Sequence, residues 1–81
     1  MTLTIDGRQF PDGQAVHRML KTLLQLPAYY GGNADALWDV LSERNEPVNL
    51  QLLSMGGEET AATLRKVARV VKALGGQVEI D

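Results

Sequence analysis

Apolar side chains alternate between two spacings along this chain, and that alternation limits the folds available to it. Around Val48, Leu50 and Leu52 every second residue is apolar, which places these side chains on one face of a strand. Leu64 and Val71 belong to a later stripe in which apolar residues recur every three or four positions, as on a helix. The whole chain reads as strand, helix, helix, strand, helix, strand. We therefore expect an α/β fold, with a small parallel sheet packed against helices through right-handed crossovers.

Turn and capping residues set the predicted bounds of these elements. Asp12 and Asn33 are the expected N-caps of the first two helices. Pro27 is expected to stop the first helix, and Gly75-Gly76 to cap the third. The predicted strands are residues 2–5, 48–53 and 77–80, and the second helix is expected to end near Glu43. The predicted core-facing helix side chains are Val16, Met19, Leu20, Leu23, Leu24, Ala34, Leu37, Val40, Leu41, Ala61, Leu64, Val67, Ala68, Val71 and Leu74.

Size and composition favour one small soluble domain, which we expect to span residues 1–81. The sequence has no cysteine, so disulfides and thiolate zinc sites are excluded, and a reducing cytosol is favoured. No run approaches the roughly 20 apolar residues that a membrane span needs. The first residues also lack the pattern of a signal peptide. A cytoplasmic protein is expected.

Acidic residues are concentrated in the middle of the chain. Residues 27–63 hold six acidic side chains against a single arginine, Arg44. Such a surface favours a cationic partner and repels the phosphates of a nucleic acid. The alternative is an acidic helix surface that is simply solvated. We expect no direct contact with nucleic acid or membrane.

The residues that catalysis would need are absent or isolated. His17 is the only histidine, and it lies near no nucleophile motif or second metal ligand, so a structural or solvated role is favoured. No glycine pattern matches a phosphate loop. Two carboxylates can in principle act on a glycoside, but here they are expected on a convex helix of a short chain. We expect no enzyme, no cofactor and no metal.

Two aspartates one helical turn apart are the most distinctive feature of the second predicted helix. Asp35 lies where the helix dipole favours a carboxylate, whereas Asp39 has no such support. Like charges at this spacing repel by roughly 0.2–0.5 kcal/mol. Trp38 stands between them, and Tyr29 and Tyr30 precede the helix. Aromatic residues beside exposed charges favour a binding surface, although one of the tyrosines can equally close the core.

The run LPAYYGGNADALWDVL, residues 26–41, resembles the core motif of the barstar family, and weaker similarity extends over most of the chain. The resemblance implies a three-stranded parallel sheet and an intracellular inhibitor, or immunity protein, for a basic ribonuclease of extracellular type. In that family the second helix and the preceding loop fill the active site of the enzyme, and Asp39 resembles the central anchor there. By position, the implied contacts are Tyr29, Asn33, Asp35, Trp38 and Asp39, with Gly31 allowing close approach. A monomer is expected when the chain is free.

The sequence also departs from that family. Glu43-Arg44 replaces a glycine-tryptophan pair of the founding member, which removes an aromatic contact and adds a positive charge. Glu43 can extend the acidic stripe and is therefore included among the expected contacts. Val70 stands where the founding member has a further acidic contact, and the connection before the third helix is shorter. These differences leave open an interaction module for another basic partner, such as a toxin that is not a ribonuclease, or a regulator.

Overall fold

A computed structural model describes all 81 residues and confirms the predicted α/β fold. Its three strands and three α-helices follow in the order β-α-α-β-α-β. They are β1 (Thr2–Asp6), α1 (Gly13–Leu23), α2 (Ala34–Ser42), β2 (Asn49–Ser54), α3 (Glu58–Ala73) and β3 (Val78–Ile80). A short 3₁₀ helix, Gly7–Gln9, follows β1.

The sheet is parallel throughout, with the strands in the order β1-β2-β3. Leu50 pairs with Leu3 of β1 on one side and with Val78 of β3 on the other. Because both connections run to the next strand in the same direction, right-handed crossovers place all three helices on one face of the sheet. The opposite face carries polar side chains such as Gln51, whose Oε1 accepts a hydrogen bond from the Thr4 hydroxyl at 3.4 Å.

A single hydrophobic core lies between this sheet and the helices. Leu52 from the sheet, Leu37 from α2 and Leu64 from α3 have no solvent exposure at all. The buried cluster consists of Leu3, Ile5, Val16, Leu20, Leu24, Leu26, Leu37, Leu41, Val48, Leu50, Leu52, Leu64, Val67, Ala68, Val70 and Val71. The predicted apolar stripes are therefore largely confirmed, and they fix α2 beside α3 with one side against the core.

The predicted helix caps are also confirmed. Asp12 begins α1 by accepting the Ala15 N–H with its side-chain oxygen at 2.9 Å. At the end of α3, the N–H of Gly75 bonds to the Lys72 carbonyl, and the N–H of Gly76 bonds to the Val71 carbonyl. This is the Schellman arrangement, which requires a left-handed residue after the helix, here Gly75 with φ of +90°.

The first helix ends differently from the prediction. It stops at Leu23, four residues before Pro27, so the proline does not set its end. Instead Gln25 takes a left-handed conformation with φ of +53°, and the Leu26 N–H returns to the Lys21 carbonyl at 2.9 Å. The expectation that Leu23 faces the core is wrong, because the side chain is 50% exposed at this turn.

Other bounds shift by a residue. The second helix ends at Ser42, with Glu43 as its C-cap. The second strand starts after Val48, although that side chain is buried as predicted. The third strand starts at Val78, one residue later than expected. No helix lies between β2 and α3, where the sequence has the shorter connection. None of the helices combines the length and the apolar character that a membrane span requires.

Candidate protein-binding surface

The loop before α2 and the exposed side of that helix form one surface. We call the side chains of Tyr29, Asp35, Trp38, Asp39 and Glu43 the docking face. Tyr29 is 84% exposed and Trp38 is 42% exposed, which is unusual for large aromatic residues, and all three carboxylates are exposed. Aromatic side chains in this setting are typical of protein-binding surfaces.

Local interactions at the start of α2 determine which way this face points. Asn33 caps the helix by accepting the Ala36 N–H at 2.8 Å, as its position in the sequence predicted. Leu37 and Leu41 are buried against the core, so the opposite side of the helix faces solvent. Asp35 lies in the first turn, where the helix dipole favours a negative charge. Asp39 lies one turn further along.

The carboxylates of the docking face have no cationic partner within the molecule. One ion pair is present in the structure, between Arg8 and Asp6 at 2.9 Å, where β1 meets the short 3₁₀ helix. It lowers the pKa of Asp6, chiefly through the hydrogen bonds from Arg8, and leaves Asp35 and Asp39 outside any salt bridge. The acidic charge of α2 is therefore free to meet an external cation.

The two adjacent tyrosines have different environments, a question that the sequence left open. Tyr29 faces solvent, whereas Tyr30 is partly buried and packs against the core. The Tyr30 hydroxyl and Nδ1 of His17 share a hydrogen bond of 2.7 Å. Burial raises the pKa of Tyr30 to about 12 and lowers the pKa of His17. His17 therefore supports the loop, which is the structural one of the two roles that the sequence favoured.

Of the two neighbouring glycines in this loop, Gly32 is the one whose backbone needs glycine. Its φ is +68°, a left-handed conformation, whereas Gly31 has no such requirement. A Cβ at Gly31 would lie 3.4 Å from Cβ of Ala36, an ordinary contact. The fold therefore does not require glycine at position 31, and the expected role of Gly31 in close approach to a partner stays a prediction.

Arg44 and Val70 take positions that the sequence did not reveal. The guanidinium of Arg44 donates a hydrogen bond to the carbonyl of Leu24, the C-cap residue of α1. Its positive charge is therefore drawn to the end of another helix, where the dipole favours a cation. Val70 is only 7% exposed and belongs to the core. It can offer a partner no polar contact of its own.

Sequence reasoning missed the cations that lie next to the docking face. Lys66 and Arg69 of α3 line the same cleft as Asp35 and the cap residue Asn33. Their spacing on a helix showed that they share a side, but only the packing of α3 beside α2 places them near an aspartate. The surface is thus acidic along α2 and basic along the adjoining part of α3.

Chemically, this surface is suited to binding, since its exposed aromatic rings and unpaired carboxylates can contact a cationic protein. The chain matches the family model described as Barstar (barnase inhibitor) over residues 1–79. It is also 50% identical over 40 residues to a protein described as "Putative ribonuclease inhibitor YrdF" from Bacillus subtilis (strain 168). That alignment covers 49% of this chain and 44% of the relative, so the chain spans less than half of that protein. On the strength of the family match over nearly its whole length, the chain belongs to the barstar family.

Proposed function

We propose that this protein inhibits a ribonuclease inside the cell that makes the enzyme, by inserting the docking face into the active site. The observation that carries the proposal is the pair Asp35 and Asp39, both exposed and outside any ion pair, on a helix that also exposes Trp38. Membership of a family described as barnase inhibitors gives the partner class. Inhibition is stoichiometric, because the inhibitor occupies the site and is not consumed.

The chemistry of an RNA-cleaving site explains why carboxylates suit this role. Such a site holds cationic side chains to bind the scissile phosphate. An aspartate can satisfy those donors through charge-assisted hydrogen bonds, yet it presents no bond to cleave. Asp39 is the proposed anchor, because it matches the central anchor of the barstar family by position and is exposed on α2, one turn after Asp35. Complementary charge also speeds the encounter, and salt weakens this effect.

Titration of ribonuclease activity tests the proposal. Purified protein is added to ribonucleases secreted by the source cell, and loss of RNA cleavage at a one-to-one ratio is expected, with recovery at high salt. Asp39→Ala is expected to weaken inhibition far more than Glu58→Ala. Glu58 is a matched control, because it is an exposed acidic residue in the first turn of α3. Equal and small losses for both variants would remove Asp39 as the anchor.

A second candidate is an interaction module for a basic protein that is not a ribonuclease. The Glu43-Arg44 pair and the buried Val70 favour it, because they depart from the family's founding member and indicate a surface adapted to a different partner. The two candidates differ in one result. An interaction module would bind its basic partner tightly and leave every ribonuclease of the source cell fully active.

A further inference from the structure

A cleft of about 390 Å³ separates the start of α2 from the middle of α3. One wall carries Asp35 with the cap residue Asn33, and the other carries Lys66 and Arg69. Both basic side chains are exposed, and neither is within ion-pair distance of Asp35. Opposite charges thus border a single cleft at the edge of the docking face without neutralising each other.

The basic wall is part of a longer positive surface on α3. Arg65, Lys66, Arg69 and Lys72 follow within eight residues, and no acidic residue occurs between Glu59 and Glu79. All four side chains are exposed. Arg69 lines the cleft, whereas Arg65, one turn earlier on the same helix, does not. The charge that reaches the docking face therefore comes from Lys66 and Arg69.

A bound protein must accommodate both signs of charge at once. Charged groups interact over about 8 Å at physiological ionic strength, so a cation that binds Asp35 also experiences Lys66 and Arg69, which line the same cleft. A partner with a purely cationic face is repelled at this border. A partner with carboxylates there gains two contacts. Like charges placed opposite each other are a common means of excluding wrong partners.

We propose that Lys66 and Arg69 are specificity-determining residues that select a ribonuclease whose cationic active site is bordered by carboxylates on the side facing α3. They reject a ribonuclease that carries cations at the same border. This inference rests on the proposed inhibitory function and adds the charge pattern of the target to it.

Barnase is the probe for the test, since the family is described by its inhibition. Its RNA-cleaving site holds cationic side chains, so a carboxylate added in the cleft beside Asp35 would extend the acidic surface that binds them. Inhibition constants are measured for the wild-type protein, Arg69→Glu and Arg65→Glu, at about 0.05 M and about 0.5 M salt. Arg65→Glu is the matched control, because it makes the same charge change on the same helix outside the cleft.

Arg69→Glu is expected to inhibit barnase at least about tenfold more tightly than the wild type at low salt, and the gain should shrink at high salt. Arg65→Glu is expected to gain at least about threefold less than Arg69→Glu, because its charge lies one helical turn further from the cleft. Lys66→Glu should act in the same direction as Arg69→Glu, which guards against a folding defect in one variant.

The proposal is overturned if Arg69→Glu matches or weakens wild-type inhibition, or if Arg65→Glu gains as much as Arg69→Glu. It is also overturned if neither the wild type nor Arg69→Glu inhibits barnase. In each case the inhibitory function is judged separately, by the titration against ribonucleases of the source cell. A chain that inhibits one of those enzymes, and loses this on Asp39→Ala, retains the proposed function without the selective role of α3.

Discussion

The hydroxyl of Tyr30 and Nδ1 of His17 are 2.7 Å apart and join the loop before α2 to the middle of α1. Their rings lie 5.9 Å apart at a tilt of 50°. His17 is 93% buried, while the adjacent residue of the loop, Tyr29, is almost fully exposed. One partly buried polar contact therefore holds the loop segment from which the docking face begins.

Stability is expected to fall as the pH is lowered, because burial depresses the pKa of His17 below its ordinary 6.5. The unfolded chain then binds a proton more readily than the folded one below pH 6.5. The free energy of unfolding keeps its full value above pH 6.5. It decreases as the pH falls from 6.5 towards the lowered pKa of His17, by at most about 1.4 kcal/mol per pH unit. Urea denaturation at a series of pH values measures it.

His17→Gln is the control for this dependence, since it removes the titrating group. Its free energy of unfolding should not change with pH in the range where that of the wild type falls. Tyr30→Phe removes the hydrogen bond and is expected to cost about 1–2 kcal/mol at neutral pH. An unchanged pH profile in His17→Gln would show that another group is responsible. Asp6 titrates in a lower range, because Arg8 lowers its pKa from 3.8.

The second prediction concerns Arg44, whose guanidinium bonds to the Leu24 carbonyl. This bond links the two ends of a segment that contains the loop and α2. Arg44→Met should cost about 1 kcal/mol in the free energy of unfolding and speed amide exchange in residues 27–33. Arg65→Met, at an exposed site of α3 without a hydrogen-bond partner, should stay within about 0.5 kcal/mol. Equal changes in the free energy of unfolding and in amide exchange for the two variants would show that the bond to Leu24 does not stabilise this segment.

The features that the sequence predicted correctly depend on interactions between residues close together in the chain. The caps at Asp12 and Asn33 each join a side chain to a backbone N–H three residues later, so the local sequence contains the whole interaction. The apolar spacings were equally informative, because burial of Leu37 or Leu64 follows from periodicity alone. The parallel sheet followed from the order of the elements and the handedness of crossovers.

The features that sequence reasoning missed depend on segments distant in the chain. The partner of Tyr30 is 13 residues earlier and that of Arg44 is 20 residues earlier, and no spacing rule connects such pairs. Lys66 approaches the start of α2 only because α3 packs beside that helix. The conformation of Gln25 was also missed, since glycine is the residue that usually marks a left-handed turn.

The third prediction compares Gln25 with Gly75, which end α1 and α3 in the same left-handed arrangement. Gln25→Gly should stabilise the fold by about 0.5–1 kcal/mol, because relief of the left-handed backbone exceeds the added freedom of the unfolded chain. Gly75→Gln should destabilise it by a similar amount. A Cβ at Gly75 meets nothing within 4 Å, so this variant measures only the cost of the left-handed backbone conformation. Thermal unfolding should show shifts of opposite sign, and shifts of the same sign would contradict the comparison.

The fourth prediction separates binding from folding with two neighbouring glycines. Gly32→Ala should destabilise the protein by about 1 kcal/mol or more, because φ at this residue is +68°. Gly31→Ala should leave the free energy of unfolding within about 0.5 kcal/mol. If the loop backbone approaches the ribonuclease closely, however, Gly31→Ala should weaken inhibition at least about tenfold, since the new methyl group occupies that space.

Urea denaturation and inhibition titration of the same two preparations distinguish the roles, with a ribonuclease that the wild-type protein inhibits as the probe. Gly31→Ala with normal stability and normal inhibition would show that the partner does not approach the backbone there. The contact surface would then be limited to the side chains of the docking face. A large loss of stability in Gly31→Ala would instead contradict the ordinary 3.4 Å contact with Ala36 that the fold provides for its Cβ.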